Sequence, residues 1–203
     1  MTSEHFFTEE PTSELRPRQL TFTFASRTYE LVSAAGVFSA NRLDLGTQVL
    51  LKKSPLPDHT TTGALLDLGC GYGPIACVLA VQAPQATIYA VDVNARARSL
   101  TSENVASVGG AERVVVAAPD EVPADVQFEQ IWSNPPIHAG KAELHEMLLR
   151  WLPRLAPDGA AYLVVAKHLG GDSLQQWLIE QGFPTERQAS QKGFRVLRVT
   201  RAR

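Results

Sequence analysis

Cysteine is scarce: the chain of 203 residues holds two, Cys70 and Cys77, seven positions apart. Such a pair makes no disulfide framework and reads as reduced thiols of a cytoplasmic protein. No run approaches the roughly 20 consecutive apolar residues of a membrane-spanning helix. Residues 1–5 lack a basic segment followed by an apolar one, so no secretory signal is expected. His5, His59, His138, His145 and His168 show no Cys/His/Glu spacing suited to a metal, so none is expected. No Gly-x-Ser-x-Gly elbow is present, which removes a hydrolase of that type. Charge imbalance is small, with a net of −2, and this excludes a uniformly basic nucleic-acid binder. At 44% hydrophobic and 20% charged, the chain has enough apolar content for one folded domain without staples. Disorder and coiled coil are excluded on the same ground.

The distribution of charge says more than its sum. Residues 1–14 carry four glutamates and no Lys or Arg, whereas residues 15–53 carry six basic groups against Glu30 and Asp44. Residues 182–203 carry six more against Glu186 alone. Basic ends around an acidic middle permit a phosphate-facing surface, with ordinary solvated strand edges as the alternative.

Three segments follow from the patterning: an N-terminal arm (1–18), an extension (19–62) and a main domain (63–203). From Gln19 the apolar period is two, with Leu20, Phe22 and Phe24 followed by Tyr29 and Leu31, which predicts a hairpin turning near Ser26-Arg27. Residues 43–53 read as a short amphipathic helix, and 54–63 as a linker. Beyond Ala64, strands at 64–68, 87–91, 113–117, 130–133, 160–166 and 195–200 alternate with helices at 74–82, 94–108, 141–155 and 173–181. Such alternation predicts an α/β fold with a doubly wound, mostly parallel sheet. The stretch from Phe183 through Lys192-Gly193 reads as a hairpin, so one of seven strands is expected to run antiparallel.

The most informative stretch is Asp67-Leu68-Gly69-Cys70-Gly71-Tyr72-Gly73-Pro74, a strand end, three alternate glycines and a helix start. In a doubly wound fold, ligands sit at this turn. Gly-x-Gly-x-Gly differs from the dinucleotide fingerprint, and no lysine follows to neutralise a polyphosphate. Asp67 suits an ammonium group, and Asp92, closing the next strand ahead of Val93, suits two ribose hydroxyls. A ligand with a ribose, an ammonium group and no phosphate points to S-adenosyl-L-methionine, held by Asp67, Gly69, Cys70, Gly71, Gly73, Asp92, Val93 and Asn134. Asp120 is a further candidate, for the adenine amine, with a solvated loop acid as the alternative.

The fourth strand runs into Asn134-Pro135-Pro136-Ile137. Prolines end a strand and leave carbonyls without ladder partners. The side-chain oxygen of Asn134 and the carbonyl of Pro135 can each accept one N–H of a planar amine, aiming its lone pair at a methyl donor.

Together these motifs resemble the class I S-adenosylmethionine-dependent methyltransferases. More narrowly they resemble the methyltransferase small domain group, which includes RsmC-type 16S ribosomal RNA guanine-N2-methyltransferases. The stretch from Gly36-Val37-Phe38 to Asp44-Leu45-Gly46-Thr47 is similar to that group's segment before the first core strand. The resemblance implies a Rossmann-like sheet, methylation of guanine N2 in small-subunit ribosomal RNA or the assembled subunit, and catalysis by Asn134, Pro135, Pro136 and Ile137. It is to the short, single-domain form. Ile137 stands where the group often has a stacking aromatic. Two other readings stay open: methylation of a protein glutamine amide, as in release-factor modification, and a non-catalytic cofactor-binding RNA module. Phe38 is a candidate to cover the cofactor and His138 to touch substrate, with core packing and a solvated loop as the respective alternatives. Oligomeric state is not legible.

Overall fold

The fold was analysed in a computed structural model, which describes residues 16–37, 39, 42–135 and 140–201. Period-two patterning forms the expected hairpin: β1 (Pro17–Phe24) and β2 (Arg27–Ala34) pair from Pro17↔Ala34 to Phe24↔Arg27. Leu20, Tyr29 and Leu31 are buried, and Phe22 stacks on Tyr29 with ring centres 5.0 Å apart. The turn falls on Ala25-Ser26, one residue earlier than expected, with φ of 46° and 62°. A two-residue turn with both φ positive matches the twist of its strands, but neither residue type favours that conformation, so its sequence signal is weak. Helix α1 (Leu45–Lys53) follows, with the side chain of Asp44 accepting from the Thr47 N–H and Lys52 and Lys53 in the last turn. Both features complement the exposed backbone groups at its ends.

The main unit then runs β3 (Ala64–Leu68), α2 (Pro74–Gln82), β4 (Thr87–Val91), α3 (Ala95–Ser107), β5 (Val114–Ala117) and β6 (Phe128–Ser133). It continues through α4 (Lys141–Trp151), β7 (Leu155–Ala166), α5 (Gly171–Glu180), β8 (Thr185–Gln191) and β9 (Phe194–Thr200). The sheet has seven strands in the order β5-β4-β3-β6-β7-β9-β8. Every neighbouring pair is parallel except those made by β9, which runs antiparallel to β7 and β8. The expected architecture is therefore present, hairpin included. Strand β8 is polar and largely exposed at the sheet edge, the outer arm of the hairpin expected between Phe183 and Gly193. Lys192-Gly193, at φ 49° and 80°, makes the tight turn into β9. The helix expected over 141–155 stops at Trp151, because Pro153 cannot continue it and a 3-10 turn delivers the chain into β7 at Leu155.

Adjacent residues of the central strands feed opposite layers. Leu65 packs with Leu50, Leu79 and Trp132 on one face, and Leu66 with Phe128, Leu148 and Trp151 on the other. Strands buried on both faces read as continuous apolar runs, as 64–68 does. After β5 the chain crosses from one side of β3 to the other, so the ends of β3, β4 and β6 frame the switch point where such sheets bind ligands.

Phe128 is fully buried, edge-on to Tyr89 with centres 5.7 Å apart and 6.1 Å from Trp151. Phe128→Ala should destabilise the chain by about 3–5 kcal/mol, read from urea unfolding midpoints. A loss under about 1 kcal/mol would show that this layer is not close-packed.

Candidate functional site

The loop after β3 is built by backbone bonds to β4 and side chains from α3. The N–H groups of Gly69 and Cys70 both donate to the Val91 carbonyl, at 2.8 and 3.0 Å. Gly69 sits at φ +75°, and a Cβ placed there meets nothing within 4 Å. Its glycine is thus needed for backbone conformation and leaves open space in front of the turn. Gly73, at φ +84°, has a second reason: a Cβ there would lie 2.9 Å from the Thr101 side chain, so glycine also permits α2 to approach α3. Thr101 donates to the Gly71 carbonyl at 2.9 Å and lies 3.4 Å from the Cys70 thiol. Cys70 and Cys77 are free and buried, and burial pushes both thiols up, so they are neutral.

Two carboxylates close the strand ends. Asp67 is fully buried; one oxygen accepts from the Ala76 N–H at 2.9 Å, and the other has no partner among the described residues. Burial pushes its pKa up to about 8, the Ala76 bond pulls down, and the Asp92 charge adds a smaller upward push. Asp92 accepts from the Gly71 N–H and the Asn94 N–H, both at 2.9 Å, one on each oxygen. Burial raises its pKa too, against those backbone bonds. Each Asp92 oxygen keeps a lone pair for a hydroxyl donor.

Asp67 is paired with Trp132 across β3 and β6, and the Ser133 hydroxyl donates to the Leu68 carbonyl at 2.7 Å. Two residues past Trp132, Asn134 therefore stands level with Gly69. Its amide nitrogen donates to Asp44 Oδ2 at 2.7 Å and to Thr47 Oγ1 at 3.0 Å. Pro135 is buried beside it.

The structure thus brings together Asp67, Gly69, Cys70, Gly71, Gly73, Asp92 and Asn134. Val93 follows Asp92 as an exposed apolar side chain, 41% accessible. Asp120 is turned elsewhere: it is exposed and paired with Arg150 at 2.7 Å. An exposed pair of that kind is worth about 0–1 kcal/mol, a small cost to exchange for a ligand. Phe38, Pro136, Ile137 and His138 lie outside the described residues. Sequence reasoning missed three polar anchors. Asp44 and Thr47 meet Asn134, and Asn104, almost fully buried, accepts from the Val32 N–H and donates to the Val32 and Tyr72 carbonyls, each at 2.7 Å. An asparagine and a threonine within helices carry no signal of their own. Among the described residues no group of three or more His, Cys, Asp and Glu is placed to hold a metal, and no helix is long and apolar enough to cross a membrane.

Comparison with known proteins matches residues 28–198 to the methyltransferase small domain model. The chain is 31% identical over 200 residues to the uncharacterized protein YbxB of Bacillus subtilis, covering 97% of this chain and 98% of that one. It is 32% identical over 196 residues to the Ribosomal RNA small subunit methyltransferase C of Stutzerimonas stutzeri, and 39% over 130 residues to that of Aeromonas hydrophila. These matches cover 94% and 63% of this chain but 57% and 36% of those proteins, so the chain spans about half their length or less. In fold it is similar to a Thermus thermophilus 16S rRNA N2 methyltransferase (RsmC) solved with AdoMet and guanosine. There the TM-score is 0.74 at 21% identity, over 94% of this chain and 52% of that one.

Asp67 generates a pH signature. Between its ordinary value of 3.8 and its folded value of about 8, the folded chain holds a proton that the unfolded chain releases. Stability of the ligand-free protein should therefore fall as pH rises through that window and level off above it. Asp67→Asn keeps the acceptor for Ala76 and should flatten the slope, measured by urea unfolding at pH 5, 6.5 and 8. Equal slopes in the two proteins would mean that Asp67 titrates normally.

Proposed function

This chain belongs to the methyltransferase small domain family, and we propose that it transfers the methyl group of S-adenosylmethionine to an exocyclic amine of RNA, specifically guanine N2 of 16S ribosomal RNA. The observation that carries the reading is the register of β3 and β6, with Asp67 opposite Trp132, which brings the residues that follow the two strands, Gly69 and Asn134, to the same end of the sheet. The residues present fit the cofactor. The unpartnered buried oxygen of Asp67 suits the ammonium end, the open face at Gly69 admits a ligand, and Asp92 can accept from ribose hydroxyls. The Gly71 and Gly73 turn and Cys70 shape that cradle, and exposed Val93 offers an apolar surface to the adenine. When bound, S-adenosylmethionine supplies an electrophilic methyl group on a sulfonium.

The protein's part in the chemistry is alignment. Asn134 Oδ1 and the Pro135 carbonyl each accept one N–H of the amine, and this directs the nitrogen lone pair toward the methyl group. A planar amine is a weak nucleophile, so fixed acceptors that favour its pyramidal geometry lower the barrier. Pro136 and Ile137 complete the tetrapeptide in this reading. Residues 63–203 form the proposed transferase domain, with 19–62 as its cover and 1–18 as an arm, in a cytoplasmic protein.

RNA as substrate draws support from the surface. Arg16, Arg18, Arg27, Arg42, Lys52 and Lys53 are all exposed. A groove of about 400 Å³ between β1 and α1 sets the half-buried rings of Phe22 and Phe24 beside Arg42 and Lys52. Rings for bases next to cations for phosphates are the means by which single strands are held. The C-terminal basic cluster contributes less, since Arg187 and Arg195 share Asp172 and Arg198 meets Glu186. Two relatives named above are small-subunit ribosomal RNA methyltransferases.

Labelled cofactor, incubated with small ribosomal subunits, naked ribosomal RNA and release factor in parallel, should mark the subunits or the RNA as N2-methylguanosine. Label confined to release factor as N5-methylglutamine would replace the RNA reading with the protein one, and label in none would favour the non-catalytic one. Asp92→Ala should weaken cofactor binding about ten- to a hundredfold by calorimetry, the worth of hydrogen bonds to a charged group. Asn134→Ala should leave that affinity nearly intact while kcat falls about a hundredfold or more. Equal affinity in the first variant or wild-type turnover in the second would remove the assigned role.

RNA binding should also weaken with salt, by a log–log slope of about −0.7 per phosphate neutralised on a single strand. Charge reversal at Lys52 and Lys53 should make that slope shallower without altering cofactor affinity. An unchanged slope would place the phosphate contacts elsewhere.

A further inference from the structure

We infer that Asp44 and Thr47 are positioning residues that fix which end of the Asn134 amide is offered to the amine. The inference rests on the reading of Asn134 as the amine's acceptor and deepens it. An asparagine amide has two chemically opposite ends of nearly equal size, so rotation by a half-turn exchanges an acceptor for two donors. Only the orientation that offers Oδ1 can accept an N–H. Left to itself, the side chain of a loop residue at a strand end would sample both.

Two acceptors from the cover segment decide the orientation. Asp44 Oδ2 takes one Nδ2 proton at 2.7 Å and Thr47 Oγ1 takes the other at 3.0 Å. A half-turn would bring Oδ1 against a carboxylate oxygen, losing the Asp44 bond and setting like partial charges together, while the Thr47 hydroxyl would have to turn and donate instead of accept. The bond to Asp44 is charge-assisted, and such bonds are the stronger kind. Thr47 is buried, so an amide proton left without its hydroxyl has little water to turn to.

The same carboxylate oxygen also accepts the Thr47 N–H at 3.0 Å, the bond that caps α1. Helix start and amide orientation are therefore held at one atom. Gly46 lies between the two residues for a steric reason. A Cβ there would fall 2.9 Å from Asp44 Oδ2, 3.0 Å from the Phe194 ring and 3.3 Å from Asn134 Oδ1. Any side chain at 46 would crowd the oxygen that must stay free. The sequence Asp44-Leu45-Gly46-Thr47 thus acts as a unit on a residue about 90 positions away.

The test separates positioning from folding and from substrate identity. Asp44→Ser keeps an N-cap oxygen on a side chain too short to serve the amide. Thr47→Val keeps shape without the hydroxyl, and Thr47→Ser restores the hydroxyl. With small-subunit RNA as substrate, kcat should fall about a hundredfold in Asp44→Ser and about tenfold in Thr47→Val. Thr47→Ser should stay close to wild type, and cofactor Kd and RNA KM should change by less than about twofold throughout. In parallel, the Asn134 side-chain amide protons are followed by NMR. They should be slow to exchange in the wild type, and should lose that protection in Asp44→Ser and Thr47→Val but not in Thr47→Ser. Unaltered amide signals in both damaging variants, or a rise in KM with kcat intact, would overturn the positioning role. If the wild type methylates no RNA, the substrate reading falls while the amide signals still decide this one.

Discussion

Much of this molecule depends on a single buried amide, that of Asn104. From the last turn of α3 it satisfies both the N–H and the carbonyl of Val32 in β2, and the carbonyl of Tyr72 in the glycine loop. The Tyr72 bond is buried and the two to Val32 are partly buried, and a buried backbone group without a partner costs about 1–3 kcal/mol. Asn104 therefore joins hairpin, helix and loop at one point. The rest of that helix face repeats the theme. Arg96 donates to the Ala35 carbonyl, Asn94 to that of Gly36, and Thr101 to that of Gly71. The hairpin and the chain leaving it are thus tied to α3 through backbone groups, and the buried side chains of Leu20, Tyr29 and Leu31 add apolar packing in the same core layer as Leu65 and Leu79.

That attachment has a consequence for the site. The segment leaving the hairpin carries Asp44 and Thr47 to Asn134, so the cover and the sheet meet at the amide. On the opposite side, Asp67 is buried with one oxygen bonded and one unpartnered. An ionised carboxylate in that position is costly, and its raised pKa is the expression of that cost. A cationic group set against Asp67 removes the penalty, so the ligand-free site is held in a state that favours a positive ligand. Stability of the empty protein and affinity for a cation draw on the same unsatisfied atom.

What was legible in the sequence follows from how local each constraint is. Gly69, Gly73 and Pro74 impose conformation on their own positions, and Asp67 and Asp92 end strands whose apolar runs are visible, so the course of this loop could be read residue by residue. Asn94, at the start of the helix expected over 94–108, caps it by accepting from the Ala97 N–H. Asn104 could not be read, because its partners lie 72 and 32 positions away and nothing in a helical asparagine marks it as buried. Asp44 and Thr47 stood out only through resemblance. Their act on Asn134, 90 and 87 positions on, appears once the hairpin is docked. Asp120 was readable only as a position past β5; its exposed side chain pairs with Arg150, on a helix far along the chain, a partner that local sequence does not reveal. Strand β8 was legible only as one arm of a hairpin, because an edge strand with a solvated face need not carry alternating apolar residues.

Charge sorts the two ligands of the proposed reaction. Asp44 bonds the Asn134 amide, Asp92 bonds the glycine loop and Asp67 is buried near the end of β3, whereas Arg42, Lys52 and Lys53 are exposed. In the proposed reaction the acidic groups favour a sulfonium, whose charge promotes ionisation of Asp67, and disfavour a phosphate. The exposed cations act across water and are screened within about 10 Å at ordinary ionic strength, so their hold on a nucleic-acid backbone is short-ranged. Acidic groups around the glycine loop and exposed cations on the cover segment thus give the proposed reaction separate surfaces for a cationic cofactor and a polyanionic substrate, on a chain whose net charge is only −2.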